Sequence, residues 1–177
     1  MQVVRDVGLL RGINLGPNRR IPMPRLREVL ADRGYGEVRT LIASGNLVLD
    51  SDLPEDELAL DLAKAIEEEF GFDVPVVVRT GKELGAVLAK DPFGEAVTDP
   101  SRYSVTFFPE APAKTRIREL PPAEHGEYAV VGRELYLWLP DGMAVSPMGK
   151  WPWDRLLGVA GTNRNWNTVT KLAELAG

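Results

Sequence analysis

Val74-Pro75-Val76-Val77-Val78 is a short β-branched run with a proline at its second position. Such a run reads as a strand, and proline, with no N–H to give a ladder, confines it to a sheet edge or a strand start. That placement decides the fold of the first half. Before it, Asp52 and Pro54 open a helix whose buried face carries Leu58, Leu62, Ala65, Ile66 and Phe70, and Gly71 ends it. The acidic first turn of that helix suits the positive charge of a helix N-terminus. Further back, residues 38–42 and 47–49 flank Ser44-Gly45-Asn46 and read as a hairpin. Pro22 and Pro24 start a short amphipathic helix with Met23, Leu26, Val29 and Leu30 on one face and Gly34 at its end. Residues 3–10, closed by Arg11-Gly12, form the first strand. The order strand, helix, strand, strand, helix, strand is the split arrangement of ferredoxin-like domains. In that topology the last strand lies at an edge, where Pro75 is tolerated.

The second half follows a variant of the same plan. Thr80 and Glu83 suit a capping box for a helix running to about Lys90. Residues 91–101, with Pro92, Gly94 and Pro100, read as a loop; residues 102–108 read as a strand. A short helix at 114–120, a hairpin of 127–131 with 134–139 across Gly132-Arg133, and helices at 154–158 and 165–176 follow. The expected fold is α+β: two small ferredoxin-like (βαββα-type) subdomains with antiparallel sheets, residues 1–80 and 81–177.

Three stretches carry a family resemblance. They are Leu9-Leu10-Arg11-Gly12-Ile13-Asn14-Leu15-Gly16, the turn Ser44-Gly45-Asn46, and Thr162-Asn163-Arg164-Asn165-Trp166-Asn167-Thr168. Together they resemble the bacterial "domain of unknown function 1697" family over nearly the whole chain. The resemblance implies two small α+β subdomains and brings no activity, cofactor or catalytic residue with it. Met148-Gly149-Lys150-Trp151-Pro152-Trp153 departs from the family pattern, which is more polar there.

The 177 residues are 44% hydrophobic and 27% charged, as in soluble globular chains. No apolar run approaches the ~20 residues that span a bilayer, and the N-terminus lacks the plan of a secretory signal. The sequence has no Cys and one His, His125, which excludes disulfides, thiolate chemistry and His-rich metal sites. A soluble cytoplasmic protein is expected. The net charge of -5 is segregated: residues 1–39 hold eight arginines against four acids, and residues 50–70 hold nine acids against Lys64. Overall acidity opposes bulk nucleic-acid binding. The first and third strands also lack the aromatic residues on which an RNA-binding sheet stacks bases, so nucleic acid ranks below a small ligand.

The loop at 11–20 leaves a strand, holds Gly12, Gly16, Arg11, Arg19 and Arg20, and leads to a helix, a setting in which backbone N–H groups and guanidinium can hold an anion. Solvated arginines around turn glycines are the plainer reading. In 162–168, Asn165 suits an N-cap, and the polarity beyond one cap serves either a ligand or neighbouring backbone. His125 reads as an exposed titrating side chain, Ser44 as a turn residue, and Glu67-Glu68-Glu69 as a solvated helix face. The candidate ligand site is Arg11, Asn14, Asn46, Arg164 and Asn165, suited to an anionic, phosphorylated or carboxylated small molecule. No catalytic residue, metal ligand or cofactor is assigned, and whether the chain is an enzyme stays open. The alternatives are an enzyme acting on such a ligand and a protein-interaction module using Trp151 and Trp153. No oligomeric state is specified.

Overall fold

The computed structural model describes residues 4–177, so Val3 and the segment before it lie outside the described residues. Two compact units make up the chain: residues up to 85 together with 172–177, and residues 86–171. In the first unit, β1 (Val4–Leu10), α1 (Met23–Asp32), β2 (Gly36–Leu41), β3 (Asn46–Ser51), α2 (Glu55–Phe70) and β4 (Val76–Thr80) follow one another. The strands form one antiparallel sheet in the order β2-β3-β1-β4. β4 is therefore an edge strand. Pro75 sits just ahead of it, and its carbonyl accepts the Arg11 N–H at 3.1 Å.

Both helices cover one side of this sheet. Leu26 and Leu30 from α1 and Leu58, Leu62, Ala65 and Ile66 from α2 share a buried cluster with Leu10, Leu47, Leu49 and Val78. Alternation along β1 puts Asp6, Gly8 and Leu10 on that face. A Cβ on Gly8 would lie 3.3 Å from Leu62 Cδ1, so α2 rests almost directly on the strand backbone. Gly71 ends α2 with φ 82°, the left-handed geometry for which glycine is the ready residue.

Part of the segregated charge is paired internally. Arg33, at the end of α1, forks onto Asp61 of α2 at 2.9 and 3.0 Å and reaches Glu68 at 3.2 Å. Arg25 bonds Glu69 at 2.6 Å, and Arg5 bonds Asp50 at 3.1 Å. Tyr35 also donates to Asp61. Glu68 and Glu69, of the Glu67–Glu69 run, thus partner α1. These pairs orient α1 against α2 more than they stabilise, since exposed ion pairs contribute ~1 kcal/mol or less.

α3 (Gly81–Lys90) follows β4 directly. Its capping box is present: Glu83 N–H donates to Thr80 Oγ1 at 3.1 Å and Thr80 N–H to Glu83 Oε1 at 3.0 Å. The second unit then runs β5 (Tyr103–Phe107), α4 (Lys114–Arg118), β6 (Glu127–Val131), β7 (Glu134–Trp138), α5 (Trp153–Leu157) and β8 (Thr162–Asn165), and α6 (Trp166–Ala176) begins in it and ends in the first unit. Its antiparallel sheet has the order β6-β7-β5-β8, the same as the first. The chain is α+β with two four-stranded antiparallel sheets. β8 corrects the sequence reading, which took 162–165 as the approach to the last helix. Its burial alternates, Thr162 and Arg164 inward and Asn163 and Asn165 exposed, but all four are polar, so no apolar period announces it. Among the described residues no helix is long and apolar enough to cross a membrane.

Candidate functional site

Asn14, Asn46 and Arg11 meet at one end of the first sheet. Leu10 N–H donates to Gly45 O at 2.8 Å, which sets the loop after β1 against the β2–β3 turn. Asn14, at φ 53°, accepts the Ile21 N–H at 2.8 Å and donates to Ile21 O at 3.0 Å and Ala43 O at 2.8 Å. Its amide therefore ties the 11–20 loop to itself and to the turn. Asn46 opens β3, fully buried, and donates to Leu41 O at 2.8 Å and Ser44 Oγ at 3.1 Å. Arg19 donates to Gly12 O at 3.0 Å and Asp73 O at 2.7 Å and lies 5.0 Å over the Phe72 ring. A small cavity of about 250 Å³ beside this loop is lined by Asn14, Arg20, Ile21, Pro22, Met23 and Ala43.

Arg164 and Asn165 belong to the second unit. The Arg164 guanidinium is buried and donates to Thr162 Oγ1 at 2.7 Å and Asn163 O at 2.8 Å, and burial lowers its pKa to about 10. Asn165 Oδ1 accepts the Thr168 N–H at 2.9 Å, as an N-cap does. Asn165→Ala is expected to lower stability by ~1 kcal/mol. A urea midpoint indistinguishable from wild type would show that the cap contributes nothing.

The sequence did not point to an opening in the second unit. It is a pocket of about 590 Å³ between the sheet and the 143–155 segment, within the 300–1,000 Å³ typical of small-molecule sites. Its origin is a missing helix. In the first unit 16-residue α2 covers the sheet; at the equivalent point the second unit has five-residue α5. Register places Thr106 opposite Asn163, where the first sheet has Gly8 opposite Val78. The uncovered strand positions are thus polar.

Trp151 and Trp153 form the facing wall, 5.2 Å apart between ring centroids. Tyr128 meets both edge-on at 6.0 and 5.5 Å, and its hydroxyl donates to Pro121 O at 2.6 Å. Trp153 Nε1 donates to Met148 O at 2.8 Å, and Met148 is fully buried. The two rings are half-buried on the apolar cluster of Phe108, Leu135, Leu137, Leu139 and Leu157. These contacts brace the two rings against Tyr128 and the Met148 carbonyl. On the opposite side Asn163 Nδ2 donates to Ser104 Oγ and Thr106 Oγ1, both at 3.0 Å. Asp154 and Arg155 complete the lining, and Asp154 Oδ1 accepts the Gly161 N–H at 3.1 Å. Among the described residues no group of three His, Cys, Asp or Glu is disposed to hold a metal ion.

No curated protein matches this sequence. The conserved bacterial protein SP0830 from Streptococcus pneumoniae has a similar structure, with a TM-score of 0.79 over 99% of this chain and 100% of that one. At 20% identity that likeness speaks to the fold alone. The family model described as "Protein of unknown function (DUF1697)" matches residues 3–136, which takes in Thr106 of the pocket but not the Trp151–Trp153 wall. Of the three stretches that carry the resemblance, 9–16 and 44–46 lie inside the matched region and 162–168 lies beyond it, and this chain belongs to that family of unknown function.

Proposed function

We propose that this protein binds a small organic molecule in the second unit, seated against Trp151 and Trp153. The observation that carries this reading is a pocket of about 590 Å³ with an aromatic wall and a polar opposite side. Asp154 is the one acidic residue of the lining and already accepts from Gly161 N–H, which supports binding rather than proton transfer. A fragment screen read by the indole N–H signals of the four tryptophans tests the proposal. Hits are expected to move Trp151 and Trp153 while leaving Trp138 and Trp166 in place. A screen whose hits leave Trp151 and Trp153 unmoved would reject it.

A second reading keeps the first-unit members of the sequence's candidate set, Arg11, Asn14 and Asn46, as a site for an anionic ligand. The shared end of the first sheet, where Arg11, Asn14 and Asn46 lie, favours it. With both Asn14 and Asn46 amides donating within the fold, the Arg11 guanidinium would have to carry the recognition. On this reading inorganic phosphate raises the melting temperature of wild type and not of Arg11→Ala. If phosphate has no effect while Arg11→Ala lowers the melting temperature, the group is structural. The finer architecture, two ferredoxin-like subdomains divided near residue 80, belongs to the same proposal and is supported by the two sheets having one strand order.

A further inference from the structure

We infer that the ligand of the tryptophan pocket is a planar heteroaromatic ring bearing one anionic group, its polar edge on Asn163 and Thr106 and its anion on Arg155. The inference rests on the pocket reading above and adds the ligand's chemistry. Ring shape follows from the wall: Trp151 and Trp153, braced by Tyr128, line the pocket with two indole rings, against which a planar ring gains offset or edge contacts.

The polar edge follows from a hydrogen-bond inventory. Asn163 Nδ2 gives both of its protons, one to Ser104 Oγ and one to Thr106 Oγ1. Its carbonyl oxygen is left as an acceptor, with the Thr106 hydroxyl proton beside it as a donor. The complement is an N–H next to a ring nitrogen or carbonyl, the pattern of an aminopyrimidine-type or lactam edge. An all-carbon ring would leave both groups desolvated and unpaired, which disfavours it. The first unit shows the contrast: at the equivalent place Gly8 and Val78 lie under an apolar helix, with Leu62 against Gly8.

The charge follows from the lining's end. Arg155 is exposed at the pocket, and a guanidinium matches the paired oxygens of a carboxylate or phosphate. Asp154 beside it opposes further negative charge, which limits the ligand to one anionic group.

Titrations of wild type, Arg155→Gln and Asn163→Leu with adenosine 5′-monophosphate, adenosine, indole-3-carboxylate, indole and inorganic phosphate test this, read by the Trp151 and Trp153 indole signals. The anionic rings are expected to bind about tenfold more tightly than their neutral counterparts, and Arg155→Gln to erase that difference. Asn163→Leu is expected to weaken the adenine pair and spare the indole pair. The tighter of the phosphate and carboxylate probes identifies the anion. Equal binding of neutral and anionic rings, or an Arg155→Gln variant that behaves as wild type, overturns the ligand class and leaves the pocket standing. If no ring moves either tryptophan, or inorganic phosphate alone does, both readings fall.

Discussion

Asp6→Asn is expected to stabilise the protein at pH 7.5 by up to ~3 kcal/mol, with the gain vanishing in acid. Asp6 is buried on the helix-covered face of the first sheet, and no described residue bonds its Oδ2. Burial first, then the nearby Glu55 and Asp50 carboxylates, raises its pKa from 3.8 to about 6. The folded protein therefore holds this proton more tightly than the unfolded chain does. The favourable contribution is complete below pH 4 and is lost as pH rises through 6. Above that, wild type carries a buried, ionised carboxylate that the amide variant lacks. The stability difference between Asp6→Asn and wild type should be flat below pH 4, grow between pH 4 and 7, and level off. A difference that does not change over that range would mean that Asp6 finds no such penalty.

Gly149→Ala is expected to destabilise the second unit by about 1–3 kcal/mol and to deform the tryptophan wall. A Cβ at Gly149 would stand 2.2 Å from the Met143 carbonyl oxygen and 3.0 Å from its carbon. Both obstacles are backbone, so no rotamer change relieves them. The 143–150 segment has to move, and Met143 and Trp151, which line the pocket, move with it. Thermal unfolding together with the indole spectrum measures the effect: Trp151 and Trp153 signals shift, while Trp138 keeps its position. A wild-type melting temperature and four unshifted indoles would show that the segment tolerates the methyl group.

Local chemistry made much of the fold legible. Pro75, without an N–H, restricts its run to a sheet edge or a strand start, and it stands just ahead of the edge strand β4; the Thr80–Glu83 box and the Gly71 stop bound their helices by geometry that few other residues supply. β8 escaped because an edge strand with one face toward an open pocket needs no apolar residue there, and Arg164 stands in the buried register. The sequence puts Asn14 and Asn46 in a candidate ligand site. Their donors bond backbone and hydroxyl oxygens of the first unit, a use that sequence cannot distinguish from recognition. The pocket was hidden for another reason: it arises where a helix is short, and absence leaves no motif. The readable trace was the pair Trp151 and Trp153 around Pro152, taken from sequence as a contact surface, and the structure puts both rings along a cavity.

The last six residues, 172–177, belong to the first unit. Arg5 donates to Leu175 O at 3.3 Å, and a Cβ on Gly81 would lie 2.5 Å from Ala176 O, so the chain's final turn seals against its opening strand and the start of α3. Synthesis proceeds from the other end, and domains generally begin folding as they emerge. On the ribosome the first unit thus assembles its sheet and two helices early, yet its contacts with residues 172–177 form only after the whole second unit has been made. Translation, in this protein, delivers the first unit's keystone after the second unit's stones.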